Sequence, residues 1–266
     1  MRFLVTFFLR NGIHSRRTLW MAILGLFPVG CAMLLWLAKP LLQEEGVSLF
    51  GLFPDLGLLL FLDLLLPLMA IFVGTAVIAD EVEERTLAYL ITRPVPRRTI
   101  VLAKLTAGFI TLAVIMAVSL FLTYTVLVLD EGTAGLVQNQ GLLLKCEGVL
   151  LLGVLAYLPL FALSGGLIKR PVLFGLIFAF GWERLVAFMP GNIRLTTVLH
   201  YLHQLFPVGS STSGGGGLRD AILGAIPGGD VSDGAAVAVL IIIAAGLTFL
   251  TTLLLKKKEY SLEQGE

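Results

Sequence analysis

Ala79-Asp80-Glu81-Val82-Glu83-Glu84-Arg85-Thr86-Leu87-Ala88-Tyr89-Leu90-Ile91-Thr92-Arg93-Pro94-Val95-Pro96-Arg97-Arg98 packs four acids and four arginines between two long apolar runs, in a chain only 14% charged. Charge this dense beside segments of hydrocarbon length has to sit in water or against a protein partner. Read as a helix from Asp80, it places Glu81, Glu84, Arg85, Ala88 and Thr92 on one face and Leu87, Leu90 and Ile91 on another. The spacing predicts a short amphipathic helix over 80–93. Pro94 disfavours helix at Arg93 and ends it, and Pro96 can open the first turn of the next helix. The plainer alternative is a positive-inside stop-transfer cluster without a partner.

Outward from this hairpin the chain is apolar. It is 57% hydrophobic with mean hydropathy +0.94, and it has repeated apolar runs of about twenty residues, the length that crosses a bilayer as helix. The expected fold class is an all-α polytopic membrane protein, one permease domain over 1–266 with six transmembrane helices. The net charge of +1 is segregated by loop and forms no basic stripe, which argues against nucleic acid as a partner. Cys31 and Cys146 have no Cys-x-x-Cys spacing and read as packing residues. The first apolar run is long enough to span and lacks a small-x-small cleavage site, so it is expected to remain in the mature protein.

Residues 1–18 read as an interfacial elbow helix, because Arg2, Thr6, Arg10, His14 and Arg17 form one stripe that can face anionic headgroups. The spans are expected at Leu19–Ala38 with a kink at Pro28-Val29-Gly30, then Gly57–Ala79, Thr99–Leu129, Gly148–Ile168, Pro171–Met189 and Gly234–Leu255. Between them lie external loops over Lys39–Leu56 and Asp130–Gln140. A larger external segment, 190–233, holds an amphipathic piece (Leu195–Phe206), a Gly-Ser-rich linker from Gly209 to Gly217, and a short apolar helix candidate (Leu218–Ile226). Fourteen of the 19 Lys and Arg fall on the face shared by both termini and the hairpin. The positive-inside rule makes that face cytoplasmic.

Asp80-Glu81, Glu84-Arg85-Thr86-Leu87, Tyr89-Leu90, Arg93-Pro94-Val95, Arg97 and Lys104 resemble the corresponding loop in permease subunits of type-two ATP-binding-cassette (ABC) exporters. Many relatives carry Gly where Arg85 and Ala103 stand, which blurs the subfamily more than the family. The resemblance implies that 80–93 is a cytoplasmic coupling helix docking on a separate ABC ATPase subunit. Glu81, Glu84, Arg85, Thr86, Leu87, Leu90, Arg93 and Arg97 would then be the ATPase-coupling residues. It further implies a homodimer with a second copy of the permease in the lipid bilayer of the cell inner or plasma membrane, an additional periplasmic or accessory subunit, and export by alternating access. No cofactor is expected on this chain, and ATP and Mg would bind the partner ATPase. Two other readings stand beside it: a membrane anchor or assembly subunit that does not transport, and a copper-linked maturation permease similar to that of nitrous-oxide reductase.

Intramembrane charge gives a second group of candidates. Helix rise puts Asp63 about 25 Å above Asp80, and Glu183 and Arg184 roughly 20 Å above Arg170, so all three share a depth. Unpaired charge there is costly, which predicts an Asp63–Arg184 contact with Glu183 paired elsewhere or facing a wet cavity on the substrate path. His200 and His203, at i and i+3, have a spacing that could hold a metal, against the plainer reading of two polar residues on the wet face of an interfacial helix. No Gly-x-x-x-x-Gly-Lys-Ser/Thr loop occurs, so the chain has no ATP cradle of that kind. Leu163-Ser164-Gly165-Gly166 looks like the start of an ABC signature loop but reads better as small residues at a helix contact. Membrane-protease geometries fail too, since Ser164 and the His pair fall at opposite ends of the expected bundle. The chain is therefore not expected to be an enzyme.

Overall fold

The computed structural model describes residues 2–13, 16–40, 49–83, 97–128, 139–187, 192–207 and 232–263, and among these every regular element is helical. The N-terminal segment forms α1 (Arg2–Ile13), followed by α2 (Arg16–Gly25) and α3 (Phe27–Leu37). The break falls at Leu26, ahead of the expected Pro28-Val29-Gly30 kink. Pro28 occupies the first turn of α3, where its missing N–H would have no partner anyway. Ser119 donates its hydroxyl to the Gly25 carbonyl beside the break and ties it to the neighbouring helix.

Residues 50–83 run on as one helical rod, α4. It starts as a 3₁₀ turn (Phe50–Leu52) and a short α-helix (Phe53–Leu56), passes through a π-helical segment (Gly57–Leu65) and continues as α-helix (Leu66–Glu83). The loop expected to reach Leu56 is thus helix from Phe50. Pro54 sits where a first turn accepts proline, and Phe53 is fully buried with its ring edge-on to Tyr124 at 5.2 Å. Helix α5 (Arg97–Val128) has 32 residues, a length of about 48 Å. Helix α6 (Gln140–Leu167) begins eight residues ahead of the expected Gly148, because Leu143, Cys146, Val149 and Leu150 form a buried stripe that carries Lys145 and Glu147 into the helix. Cys31 and Cys146 are free thiols.

Residues 171–187 form α7, whose middle turns (Ile177–Trp182) are π-helical. A 3₁₀ turn (Asn192–Thr196) leads into α8 (Val198–Leu205), and α9 (Asp233–Glu263) ends the described chain. Among the described residues, five stretches are long and apolar enough to cross a membrane: Arg16–Leu37, Phe50–Ile78, Thr99–Val128, Gln140–Leu167 and Asp233–Leu254. The described part of α7 reaches about 25 Å, a little short of ~30 Å of hydrocarbon, and Phe188 and Met189 of the expected fifth span lie outside the described residues. So does Leu218–Ile226.

Helix α6 is the centre of the bundle, with α4, α5, α7, α8 and α9 packed around it. Its crossing with α4 is the tightest. A Cβ on Gly165 would stand 2.6 Å from the Thr75 carbonyl oxygen, and one on Gly74 would stand 2.8 Å from the Leu158 carbonyl oxygen. The Leu163-Ser164-Gly165-Gly166 run is therefore a close-packing surface. Ala236, Leu240, Ala244 and Thr251 give α9 one buried stripe. At the other end of the chain, α1 lies against α5, with the Lys104 ammonium 5.6 Å from the centre of the Phe8 ring.

Candidate functional site

Helix α4 creates a need at its own midpoint. In an α-helix the Asp63 carbonyl would accept from the amide of residue 67, but that residue is Pro67 and has no N–H. The helix answers with π-type bonding, the Leu66 amide reaching back to the Phe61 carbonyl. Arg184 of α7 supplies the missing donor, its Nη2 lying 3.0 Å from the Asp63 carbonyl oxygen. The guanidinium is also 5.8 Å from the Phe180 ring centre. The expected Asp63–Arg184 contact is thus made through the main chain.

The Asp63 carboxylate has another partner. Its Oδ1 lies 2.6 Å from His203 Nε2, and both residues are buried. The reason is geometric, since α8 enters the bundle beside the π segment of α4 and brings an imidazole closer to the carboxylate than the arginine comes. Asp63 Oδ2 is buried and has no hydrogen-bond partner among the described residues.

Glu183 is 1% exposed and doubly held. The Tyr157 hydroxyl of α6 donates to its Oε2, and the Val198 amide donates to its Oε1 over 3.3 Å. Val198 is the first residue of α8, and Thr197 before it makes no side-chain cap. A carboxylate from α7 therefore caps α8 from outside, meeting an orphan N–H with negative charge at the positive end of the helix. The pairing expected for Glu183 exists, with a tyrosine and a helix terminus.

His200 and His203 do not occupy a wet face. Both are buried, as are Val198, Leu199, Tyr201 and Leu202, so α8 is enclosed on nearly all sides. Burial pushes the His200 pKa below its ordinary value of 6.5, helped by the positive charge of Arg194 and by His203. His200 Nε2 has no hydrogen-bond partner among the described residues. Nor do any three His, Cys, Asp or Glu among those residues gather into a set that could hold a metal ion.

The hairpin joins α4 to α5. Glu81 falls in the last turn of α4 and Arg97 is the first residue of α5, while Glu84, Arg85, Thr86, Leu87, Leu90 and Arg93 lie outside the described residues. Residues 13–182 match the family described as ABC-2 family transporter protein. The chain belongs to that family. Membership makes it a transmembrane subunit of an ABC transporter and implies an ATPase partner subunit. No curated protein matches it. The part of this ABC-2 chain that carries the family match holds the whole hairpin, Asp63 and Tyr157, and stops one residue before Glu183. Arg184, His200 and His203 lie beyond it.

Tyr157 is the residue that sequence reasoning missed. It sits in an apolar run with nothing to mark it except a hydroxyl that burial obliges to find a partner. Counting rise from the α6–α7 turn puts it about 15 Å up and Glu183 about 18 Å up, a match that was available in the sequence.

Proposed function

We propose that this chain is the permease of an ABC exporter, which forms the substrate path and is driven by separate ATPase subunits gripping residues 80–93. The family match over 13–182, with the acid-and-arginine hairpin inside it, is the observation that carries this reading. Along the chain this stretch connects two rods, α4 of residues 50–83 and α5 of Arg97–Val128. A push on it would reach the membrane through both. Residues 171–187 act as the fifth of six spans, which puts both termini on the hairpin's side. The permease works as a homodimer, and ATP with Mg binds only in the ATPase pair, whose closure moves the hairpins and re-packs the helices between inward and outward openings. No bond of the substrate is made or broken. The helix α1, leaning on α5 through Phe8 and Lys104, serves as the elbow that registers this motion at the cytoplasmic surface.

Affinity purification from membranes tests the reading. A cytosolic ATPase with Walker motifs should copurify, and Glu84→Lys or deletion of residues 87–91 should remove it while leaving the permease in the membrane. Retention of the ATPase by both variants would place the docking surface elsewhere. Failure of any such ATPase to copurify with the parent chain would favour a membrane anchor.

A further inference from the structure

Helix α9 packs chiefly on α6 and meets α5 over a smaller contact, and the three helices leave between them a groove of about 570 Å³. Ala244, Ala245 and Thr248 of α9 leave space that larger side chains would fill, while Leu102 of α5 and Leu155 of α6 line it from the other two helices. All the lining side chains are apolar except two threonines, and both are already bonded within α9. Thr248 donates to the Ala244 carbonyl over 2.7 Å and Thr252 to the Phe249 carbonyl over 2.7 Å. Neither hydroxyl hydrogen is left for a ligand, so hydrocarbon suits the groove better than a polar molecule.

The groove has the depth of one leaflet. From Ile241 to Leu253 it follows α9 for about 18 Å, against about 15 Å for half of a ~30 Å hydrocarbon core. A partner helix crossing the whole membrane would need a seat nearly twice as long. The groove lies toward the hairpin end of the bundle, since Leu102 stands in the second turn of α5, whose first residues are Arg97 and Arg98. On α9 the stripe Ile241, Ala245, Thr248, Thr252 continues by one more turn to Lys256. Lys257 and Lys258 follow, ahead of the first acid, Glu259. Apolar lining thus gives way to basic sequence on both helices at the same end.

We propose that this groove binds an anionic phospholipid of the hairpin-side leaflet, with one acyl chain along α9 and the phosphate at the basic ends of α5 and α9. A gap between membrane helices that opens beside clustered Lys and Arg is the arrangement that selects acidic headgroups. The bound chain fills the space between α9 and α5 and braces the last helix, whose own packing is mostly against α6. The site shares no residue with the cluster around Asp63 and Glu183. It requires that α5, α6 and α9 cross the membrane, and nothing of the exporter reading.

Photolabelling tests the site on the full chain, reconstituted with whatever copurifies with it in phosphatidylcholine vesicles. Two probes with the same diazirine-bearing acyl chain, one a phosphatidylglycerol and one a phosphatidylcholine, are added as a small fraction of the lipid, and labelled residues are mapped by mass spectrometry. Label from the phosphatidylglycerol should concentrate on residues 241–253, Leu102 and Leu155 rather than on the equally exposed apolar face at Val114, Val118 and Phe121. Its yield in the groove should exceed that of the phosphatidylcholine by at least about fivefold, the effect of one lysine near a charged surface. Ala245→Trp, at an exposed alanine, should remove groove label from either probe. Lys256→Gln, Lys257→Gln and Lys258→Gln together should bring the two yields level. Label spread evenly around the bundle, or equal groove yields from the two probes in the parent chain, overturns the proposal without any variant. Loss of the label on adding millimolar inorganic phosphate would make the basic end a site for the free ion and overturn it. An unlabelled groove, with disulfides forming between copies that carry Phe249→Cys, would give the seat to a second copy of the chain and overturn it too.

Discussion

Pro67 removes the N–H that would have served the Asp63 carbonyl, and Arg184 puts a donor back from another helix. The two residues should therefore be coupled in stability although one is in α4 and the other in α7. Arg184→Gln is expected to cost about 1–3 kcal/mol, and about 1 kcal/mol less when Pro67→Ala has returned an amide to the carbonyl. Thermal unfolding of the four proteins in detergent measures this, and additive losses would mean that the guanidinium serves something else. His200 supplies a pH dependence. Its folded pKa lies below the ordinary 6.5, so the unfolded chain binds more protons on the acid side of that value and stability rises with pH across the window. The unfolding midpoint should drop between about pH 7 and about pH 5.5, and His200→Asn should flatten that slope. An unchanged slope in the variant would assign the dependence to other groups. Depth arithmetic along the sequence already brought Asp63 and Arg184 together, whereas Pro67, four residues after the acid, was a signal of a carbonyl without its donor that the sequence reading left unused. The choice of imidazole over guanidinium for the carboxylate was not legible, because it depends on how closely α8 enters beside α4.

Among the elements, the crossing of α4 with α6 tolerates least change. The atoms facing Gly165 are main-chain atoms of Thr75, which cannot rotate away. Gly165→Ala should push the helices apart and cost about 1–3 kcal/mol, seen as a lower unfolding midpoint and lower membrane abundance. Gly148→Ala in the same helix meets nothing within 4 Å and should be neutral or stabilising by up to about 1 kcal/mol. Equal effects at the two positions would argue against so close a crossing. The long helices were readable from apolar run length, and Ser164-Gly165-Gly166 was readable as a contact. Helix starts were less so. Polar residues such as Lys145 and Glu147 look like loop in a sequence window, yet ride on a helix whose opposite stripe is buried. The enclosure of α8 was hidden for the converse reason, since two histidines on an amphipathic segment resemble a wet face until the acid from α4 and the cap from α7 are in place.

At the scale of the whole molecule, sidedness decides how many helices cross. If 171–187 and the residues after it traverse the membrane, Arg97→Cys and Lys258→Cys should react with an impermeant thiol reagent from the same side. If α7 turns back, they should react from opposite sides. The excess of Lys and Arg on the hairpin face favours the first outcome. The bonds to Asp63 also set an order of events during synthesis. Its carbonyl waits for a guanidinium 121 positions later and its carboxylate for an imidazole 140 positions later. At ribosomal speeds of roughly 5–20 residues per second, the young chain holds an acid in lipid, unmatched by these partners, on the order of 10 s. The N-terminal half of this protein is thus made in a state that only the C-terminal half can complete.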